Sequence, residues 1–423
     1  MFQTRRASTY IVIGLLASQL IALLAVVFLT LPSIAQWHAL DLSIYYQDSL
    51  QLLGGRVPYR DFALEYPPLA LLPFVLPRLA TFGQQIDFSG YVWLFLIQNA
   101  IFSTLIALLI VLIRGPRPAG TALALYALLV AVSAPLLPWR YDLFPALLTA
   151  LALLCVLRQR PGWAGIWLGL GIAAKLYPAV LLPVFGAYYL AGRNRPALLR
   201  LVLGSAGALA ATLLPFVLIA PDPLLSFLRY HQLRGLQLES LPAGVIVLAH
   251  VLGMTPAQLA FNYGALHVDA PPAGTVLRWL PVVLVVIFGV LLAGCFARFR
   301  EEQAAGGRVT SESLVAYTVA ALLAFIVTNK VFSPQYMIWL LPFAPLLRLR
   351  HAGALLAICA LTIMLFPYNY DRLLDMELLP VLLLNLRNLL AVALLFWLLV
   401  DYAPSAWRSA LRWPVPAARR APH

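Results

Sequence analysis

Long apolar runs separated by short polar stretches dominate this chain. The first run, Tyr10 to Leu31, carries no charged residue and reaches the roughly 20 residues that a helix needs to cross a bilayer. Further apolar stretches lie at approximately 90–113, 120–138, 143–157, 163–191, 198–219, 276–297, 313–329, 335–347, 353–368 and 382–400. A cleaved signal peptide explains the first run less well, because its apolar region is too long and many more runs follow. The pattern predicts an all-α polytopic membrane protein with one transmembrane domain over residues 1–423.

Arginines cluster in the short segments between these runs. Because cytoplasmic loops carry an excess of Lys and Arg, we assign these segments to the cytoplasm. They contain Arg5, Arg6, Arg114, Arg117, Arg158, Arg160, Arg193, Arg195, Arg200, Arg298, Arg300, Arg308, Arg348, Arg350, Arg408, Arg412, Arg419 and Arg420. The stretch 163–191 has arginines on both flanks, so it must cross out and back with short arms and an outer turn at Lys175.

The same parity prevents segment 67–82 from crossing, and we expect an interfacial or re-entrant helix there. The count becomes about 12 transmembrane helices with both termini cytoplasmic. Two outer loops are long, 32–89 and 220–275, and we expect interfacial helices in both. One of them is a short amphipathic helix over 43–53, ended by Gly54 and Gly55. A basic cytoplasmic tail covers 402–423.

Composition supports this membrane assignment. The 423 residues are 62% hydrophobic and only 11% charged, against about 25% charged in soluble domains. The net charge of +13 divides into about +14 in the cytoplasmic segments and about −1 outside. The positive charge therefore indicates topology, and we expect no nucleic-acid partner. Cys155, Cys295 and Cys359 lie in apolar runs without metal-ligand spacing, and no P-loop is present, so we expect no metal and no cofactor.

Only two lysines occur, and both fall at predicted outer turns. Lys175 lies in "GIAAKLYPAVLLP" and Lys330 in "FIVTNKVFSPQYMIWLLP". One interpretation is that each side chain snorkels to the lipid headgroups. The other is that these cations face a cavity and hold an anionic group such as a lipid phosphate. Polar neighbours that would then contact substrate are Tyr177, Gln335 and Tyr336.

The first outer loop carries several acids and tyrosines. Asp41 follows the first span closely, and Tyr45, Tyr46, Glu65 and Tyr66 come after it. Acids in such a loop are often simply solvated, which is our interpretation of Asp48 and Asp61. A carboxylate at the lip of an apolar cavity is instead suited to act as a general base, and this is our interpretation of Asp41.

Two further motifs place charges at predicted outer turns. "PWRYDLFPALL" contains Arg140 and Asp142, and "YHQLRGLQLES" contains Arg234 and Glu239. An intramembrane ion pair that joins two helices is one explanation of the first motif, and a solvated loop is one explanation of the second. Alternatively, Arg140 and Arg234 bind a phosphate, and Asp142 and Glu239 contact the substrate.

In this order, "DLSIYY", "GGRVPYRDF", "EYPP", "RYDLFPALL", "KLYPAVLLP", "RGLQLES" and "NKVFSPQYMIWLLP" resemble the polyprenyl-phosphate-mannose-dependent mannosyltransferases of glycosyltransferase family 87. These are bacterial GT-C class membrane enzymes, similar to α-1,2-mannosyltransferases. The resemblance spans roughly residues 37–345. It implies a GT-C helical bundle with a cavity open to the outer leaflet and a catalytic aspartate, Asp41, in the first outer loop. It also implies that Lys175 and Lys330 are cations of the donor site.

The function implied by this resemblance is sugar transfer at the outer face of the cell membrane. We expect a sugar, which the family resemblance implies is mannose, to move from a polyprenyl-phosphate donor to a glycolipid or glycan hydroxyl. Asp41 would act as general base, with inversion at the anomeric carbon and no metal. We expect a monomer. The alternative is a transporter or flippase of a polyprenyl-linked lipid, which also needs cations within a cavity.

Overall fold

The computed structural model describes residues 2–82, 84–115, 119–219 and 226–411. Within these ranges the chain is helical except for loops and one two-stranded hairpin. The predicted all-α class is therefore confirmed. Some of the predictions concern residues outside these ranges. They are the cytoplasmic placement of Arg117, Arg412, Arg419 and Arg420, and the beginning of the second outer loop.

The helices follow the apolar runs closely. The first half of the chain forms α1 (Phe2–Leu53), α2 (Leu71–Leu79), α3 (Phe88–Arg114), α4 (Ala119–Ser133), α5 (Leu143–Leu157), α6 (Pro161–Ala174), α7 (Leu181–Ala191) and α8 (Arg195–Ile219). The second half forms α9 (Ser226–Leu233), α10 (Leu241–Val251), α11 (Ala273–Gly306), α12 (Ser311–Thr328), α13 (Leu349–Leu365), α14 (Tyr370–Leu374), α15 (Leu378–Asp401) and α16 (Ser405–Leu411). Between α10 and α11, strands β1 (Gln258–Asn262) and β2 (Ala265–Asp269) pair antiparallel.

Six described helices are long and apolar enough to cross a membrane. They contain Ile11–Leu29, Phe88–Arg114, Arg195–Ile219, Ala273–Gly306, Ser311–Thr328 and Leu378–Asp401. Seven shorter apolar helices of 10–17 residues accompany them. Four of the short helices are connected by turns, α4 to α5 through residues 134–142 and α6 to α7 through residues 175–180. The prediction of about 12 crossings stays a prediction, because it requires these short arms to count as spans.

Two predicted boundaries are wrong. The first helix does not end near Leu31 but continues to Leu53, so the predicted helix over 43–53 is the last part of α1. Polar residues after Leu31 end the apolar run, but polar residues can continue a helix, so the helix extends beyond the apolar run. The predicted span 335–347 is instead two 3-10 helices, Pro334–Leu340 and Ala344–Leu346. Pro342 and Pro345 lack the backbone N–H that a continuous α-helix needs there.

Segment 67–82 contains only short helices, as expected for a segment that does not cross the membrane. It forms a 3-10 turn, Pro68–Ala70, followed by α2 of only 9 residues. At 1.5 Å per residue α2 is about 13 Å long, which is too short to cross a bilayer.

Helices α6 and α8 approach closely because glycines line their contact. A Cβ atom added at Gly165 would lie 2.1 Å from the carbonyl oxygen of Leu201, and one at Gly169 would lie 2.3 Å from that of Ser205. On the other side, a Cβ at Gly204 would lie 2.4 Å from the carbonyl oxygen of Gly162. Small residues that allow backbones to touch are typical of helix packing in membranes. This contact fixes α6, which ends immediately before Lys175.

Candidate active site

Asp41 lies within the last third of α1 and pairs with an arginine from the α4–α5 turn. Its Oδ2 atom lies 2.9 Å from Nη2 of Arg140. The Arg140 side chain is 4% exposed, whereas that of Asp41 is 27% exposed. Arg140 also donates through Nη1 to the carbonyl oxygen of Trp139 at 3.3 Å. The result is a carboxylate that a substrate can reach, oriented by a cation that it cannot.

A second ion pair lies beside the first and has the opposite exposure. Lys175, the C-cap of α6, donates to Oδ1 of Asp142 at 2.7 Å, and Nε1 of Trp339 donates to the same oxygen at 2.6 Å. Here the acid is 1% exposed and the lysine 15%. Oδ2 of Asp142 is buried and has no hydrogen-bond partner among the described residues. We call Asp41, Arg140, Asp142 and Lys175 the ion-pair cluster.

Ion pairs of this kind are expensive to place in an apolar bundle. Removing two charges from water costs several kcal/mol per ion, and their attraction often does not recover it. Charged residues at membrane depth therefore usually mark a functional site. Both ion pairs also join helices, as the alternative explanation of the first motif expects, because Arg140 pairs with Asp41 of α1 and Asp142 with Lys175 at the end of α6.

Aromatic rings enclose the lysine of this cluster. Its Nζ atom lies 4.7 Å from the ring centre of Tyr141, 5.6 Å from that of Trp339 and 6.0 Å from that of Tyr66. Trp339 is stacked between Tyr177 and Tyr336, with ring centres 4.1 and 3.9 Å apart. Such rings attract a cation and hold it in place.

Tyr45 and Tyr66 extend the same aromatic wall towards Asp41. The ring of Tyr45 contacts Tyr66 and Tyr141, with centroid distances of 6.3 and 5.7 Å. Tyr46 points elsewhere, because consecutive residues of a helix face about 100° apart. Its ring lies 4.5 Å below the guanidinium of Arg78. The structure thus groups Tyr45, Tyr66, Tyr177 and Tyr336 with the cluster and separates Tyr46 from it.

The second outer loop supplies Arg234 and the turn after α12 supplies Lys330, and these two predicted cations are held differently. Nζ of Lys330 donates to the carbonyl oxygens of Gln232 and Arg234 at 2.8 and 2.7 Å. Nη2 of Arg234 donates to the carbonyl oxygen of Tyr263 at 2.7 Å. We call Arg234 and Lys330 the loop cations. These hydrogen bonds connect the second outer loop, the turn after α12 and the β-hairpin to one another.

Electrostatic interactions place the loop cations near the ion-pair cluster. Burial and, to a smaller extent, the positive charges of Arg234, Lys175 and Lys330 lower the pKa of His231 to about 4. Cations from the turn after α6, the turn after α12 and the second outer loop therefore surround one imidazole. Their convergence favours a bound anion in this region.

Glu239 and Gln335 lie at the edge of this arrangement. Glu239 is buried with Arg387 of α15, which donates to the Glu239 carbonyl oxygen at 2.8 Å. Burial raises the pKa of the Glu239 carboxyl to about 7, although the nearby Arg387 opposes the rise. Gln335 is half-buried at the start of the 3-10 helix that carries Tyr336 and Trp339.

The acids near the end of α1 divide into one solvated and one buried group. Asp61 is exposed as expected, and its hydrogen bond from Arg60 lowers its pKa to about 2. The interpretation of Asp48 as a solvated acid is wrong, since the residue is 6% exposed. Burial and, to a smaller extent, the charge of Glu65 raise the pKa of Asp48 to about 7. Glu65 therefore lies beside Asp48.

Sequence reasoning missed Tyr141 and Trp339. Tyr141 lies between the two predicted charges of "RYD", and Trp339 follows Tyr336 by three residues. Because residues i and i+3 eclipse one another in a 3-10 helix, that spacing places both rings on one side. Among the described residues, no group of three or more His, Cys, Asp or Glu side chains is arranged to hold a metal ion.

These features define a multi-helix membrane protein with paired acids and bases at one end of its short helices. Comparison with known proteins identifies the family. The model of glycosyltransferase family 87 matches residues 64–327, and the chain belongs to this family. The resemblance inferred from the motifs is confirmed.

The chain is similar to a curated protein and to a solved structure. Over 209 residues the chain is 31% identical to the polyprenol-phosphate-mannose-dependent alpha-(1-2)-phosphatidylinositol mannoside mannosyltransferase of Mycobacterium tuberculosis. This match covers 44% of the chain and 46% of the relative, so the chain spans about half the length of the curated relative that it matches. Among solved structures, the oligosaccharyltransferase of Archaeoglobus fulgidus matches at 15% identity and a TM-score of 0.33, over 88% of this chain and 47% of that one.

Proposed function

We propose that the protein transfers mannose from a polyprenyl-phosphate donor to a hydroxyl of a glycolipid or glycan, with Asp41 as general base. Family membership supports glycosyl transfer, and the polyprenol-phosphate-mannose dependence of the mycobacterial relative supports the donor. The observation that carries the assignment of the base is the pair of Asp41 with Arg140 at 2.9 Å, in which only the acid is accessible.

The reaction balances as a single displacement. Asp41 takes the proton of the acceptor hydroxyl, and the acceptor oxygen forms a bond to the anomeric carbon of the donor sugar. The bond from that carbon to the phosphate oxygen breaks, and its electron pair leaves with polyprenyl phosphate. Because attack and departure occur on opposite faces, the configuration inverts. A positioned base of this kind contributes about 10²–10⁴-fold to the rate.

The formal charges of the side chains around the site indicate which groups would hold the leaving phosphate. The ion-pair cluster contains two acids and two bases, so it is formally neutral. The positive excess in the region comes from Arg234 and Lys330. We therefore propose that Lys175 contacts the phosphate directly and that the loop cations supply the surrounding positive potential. Fixed cations that meet developing charge often make the largest contribution to catalysis. With these cations in place we expect no requirement for a metal ion.

Sidedness follows from the arginines at the opposite ends of the helices. α5 begins at the ion-pair cluster and ends beside Arg158, and α7 begins near Lys175 and ends beside Arg193. Under the positive-inside rule these arginines lie in the cytoplasm. The cluster then opens at the outer face of the cell membrane, where a prenyl chain in the outer leaflet can deliver its sugar.

The test is transfer by the purified protein from polyprenyl-phosphate mannose to a glycolipid extract. We expect mannosylated acceptor and free polyprenyl phosphate in equal amounts, without added metal and in the presence of a chelator. A protein that moves intact polyprenyl-phosphate mannose across vesicles but releases no polyprenyl phosphate would be a flippase, which would contradict the proposal.

A further inference from the structure

A polar cavity lies at the opposite end of the helices that carry the ion-pair cluster. Its volume is about 650 Å³, within the roughly 300–1,000 Å³ of typical ligand pockets. Its walls come from the C-terminal ends of α5, α7 and α11 and the N-terminal end of α12. α5 has 15 residues, so the cavity lies about 22 Å along the bundle from the α4–α5 turn. It is separate from the proposed active site.

The lining combines hydrogen-bonding groups with one positive charge. Uncharged polar side chains come from Gln159, Tyr188, Asn194, Gln303 and Thr310, and the cation is Arg308. None of the described lining residues is acidic. This composition suits a ligand that is itself negatively charged and rich in oxygen atoms.

The surroundings increase the preference for an anion. Arg158, Arg160, Arg193 and Arg195 are exposed on the two turns that supply the walls. Glu302, an acid that precedes the lining residue Gln303, has its charge balanced by Arg298. It accepts from Arg298 at 2.9 Å, from the backbone N–H of Thr310 at 2.8 Å and from the hydroxyl of Ser313 at 2.6 Å.

An apolar surface adjoins the cavity. Leu190 follows the lining residues Tyr188 and Tyr189 on α7 and is exposed, and so are Leu199 and Leu203 of α8. α8 is also the candidate span with the smallest buried share among the six. A molecule with a polar anionic head and acyl chains would place its head in the cavity and its chains along α8.

We propose that this cavity binds the headgroup of an anionic phospholipid from the leaflet opposite the active site. Basic pockets between membrane helices on the cytoplasmic side are known to hold such headgroups, and each nearby Lys or Arg strengthens binding by about fivefold. The lipid would brace the ends of α5, α7 and α12, whose other ends carry the ion-pair cluster.

The proposal is tested by lipid binding to the purified full-length protein, measured by native mass spectrometry. The probes are dioleoyl phosphatidylglycerol, dioleoyl phosphatidylcholine and glycerol 3-phosphate. The variants are Arg308→Glu, which reverses the lining charge, and Ser311→Glu, which adds an acid to the lining. An acid is favourable in the first turn of a helix, so Ser311→Glu preserves α12. Arg278→Ala, an exposed arginine at the other end of α11, is the matched control.

We expect the wild type and Arg278→Ala to prefer phosphatidylglycerol over phosphatidylcholine by about fivefold or more, and both cavity variants to lose that preference. If both cavity variants still preferred phosphatidylglycerol over phosphatidylcholine, the assignment of the lipid site to this cavity would be wrong. Glycerol 3-phosphate binding as tightly as phosphatidylglycerol would replace the lipid by a soluble anion and would equally overturn the proposal. Neither outcome depends on mannosyl transfer.

Discussion

The ion-pair cluster and the loop cations hold positive charge in two different ways. In the cluster, Arg140 and Lys175 bind carboxylates from other helices. In the loop, Lys330 and Arg234 bind backbone carbonyl oxygens. A carbonyl partner makes a cation part of the loop's own structure, whereas a carboxylate partner makes it part of a charge balance that a substrate can change. The sequence predicts all four as phosphate ligands, and the structure divides them into these two groups.

The largest expected effect is on Asp41. Asp41→Asn keeps the size of the side chain but removes the base, so we expect kcat to fall about 10²–10⁴-fold. The matched control is Asp61→Asn, since Asp61 is exposed in the loop that follows α1 and pairs with its neighbour Arg60 at 2.9 Å. Initial rates of mannosyl transfer by both purified variants check this prediction. A rate for Asp41→Asn equal to that of the control would remove Asp41 from the reaction.

The next effect compares one lysine of each group. Lys175→Gln removes the cation proposed to contact the phosphate, and we expect kcat/KM for the donor to fall about 10²-fold. Lys330→Gln keeps a hydrogen-bond donor towards the loop carbonyls, and we expect a loss of about tenfold or less. Donor titrations of the two variants test the difference. Equal decreases in kcat/KM for the donor would mean that Lys175 and Lys330 contribute equally to use of the donor.

A smaller effect comes from the packing that positions Lys175. Gly165→Ala places a Cβ 2.1 Å from the carbonyl oxygen of Leu201, so α6 and α8 must separate. We expect a destabilisation of about 1–3 kcal/mol. Gly162→Ala, on the same helix, is the control, since a Cβ there meets nothing within 4 Å. Thermal unfolding in detergent measures both, and identical melting temperatures would show that α6 is not held as described.

The smallest effect is a pH dependence on the loop side. Burial raises the pKa of Glu239 to about 7, so the folded state keeps a proton that the unfolded chain loses near pH 4.5. Stability should therefore decrease as pH rises from about 4.5 to 7, and the loss should be complete above pH 7. Glu239→Gln should flatten this part of the profile, whereas Glu377→Gln, an exposed acid paired with Arg372, should not. Unfolding midpoints measured between pH 5 and 8 test this prediction. Parallel profiles for Glu239→Gln and wild type would show that Glu239 does not cause the pH dependence.

Much of the fold could be predicted because helices in a membrane must be apolar. The run 143–157 coincides with α5, and 90–113 lies within α3. The continuation of α1 to Leu53 could not be read from hydropathy, because a helix can leave the apolar layer without ending. The prolines at 342 and 345 did carry a signal against a span over 335–347, since each removes a backbone donor.

The site was predictable in its members but not in its pairs. Asp41, Arg140, Asp142 and Lys175 were all singled out from motifs at span ends. Their partners depend on how α1, the α4–α5 turn and α6 pack, and no spacing along the chain contains that information. Residues 140 and 142 are neighbours in sequence, yet each binds a residue of a different helix.

The most direct test separates donor binding from chemistry at Asp41. Purified wild type and Asp41→Asn are each loaded with polyprenyl-phosphate mannose, and a single turnover is started by adding acceptor. If Asp41 is the base, donor affinity stays within about threefold of wild type, while the rate of polyprenyl phosphate release falls at least about 100-fold. A variant that releases polyprenyl phosphate at the wild-type rate, or that loses turnover only because it no longer binds donor, would contradict the account.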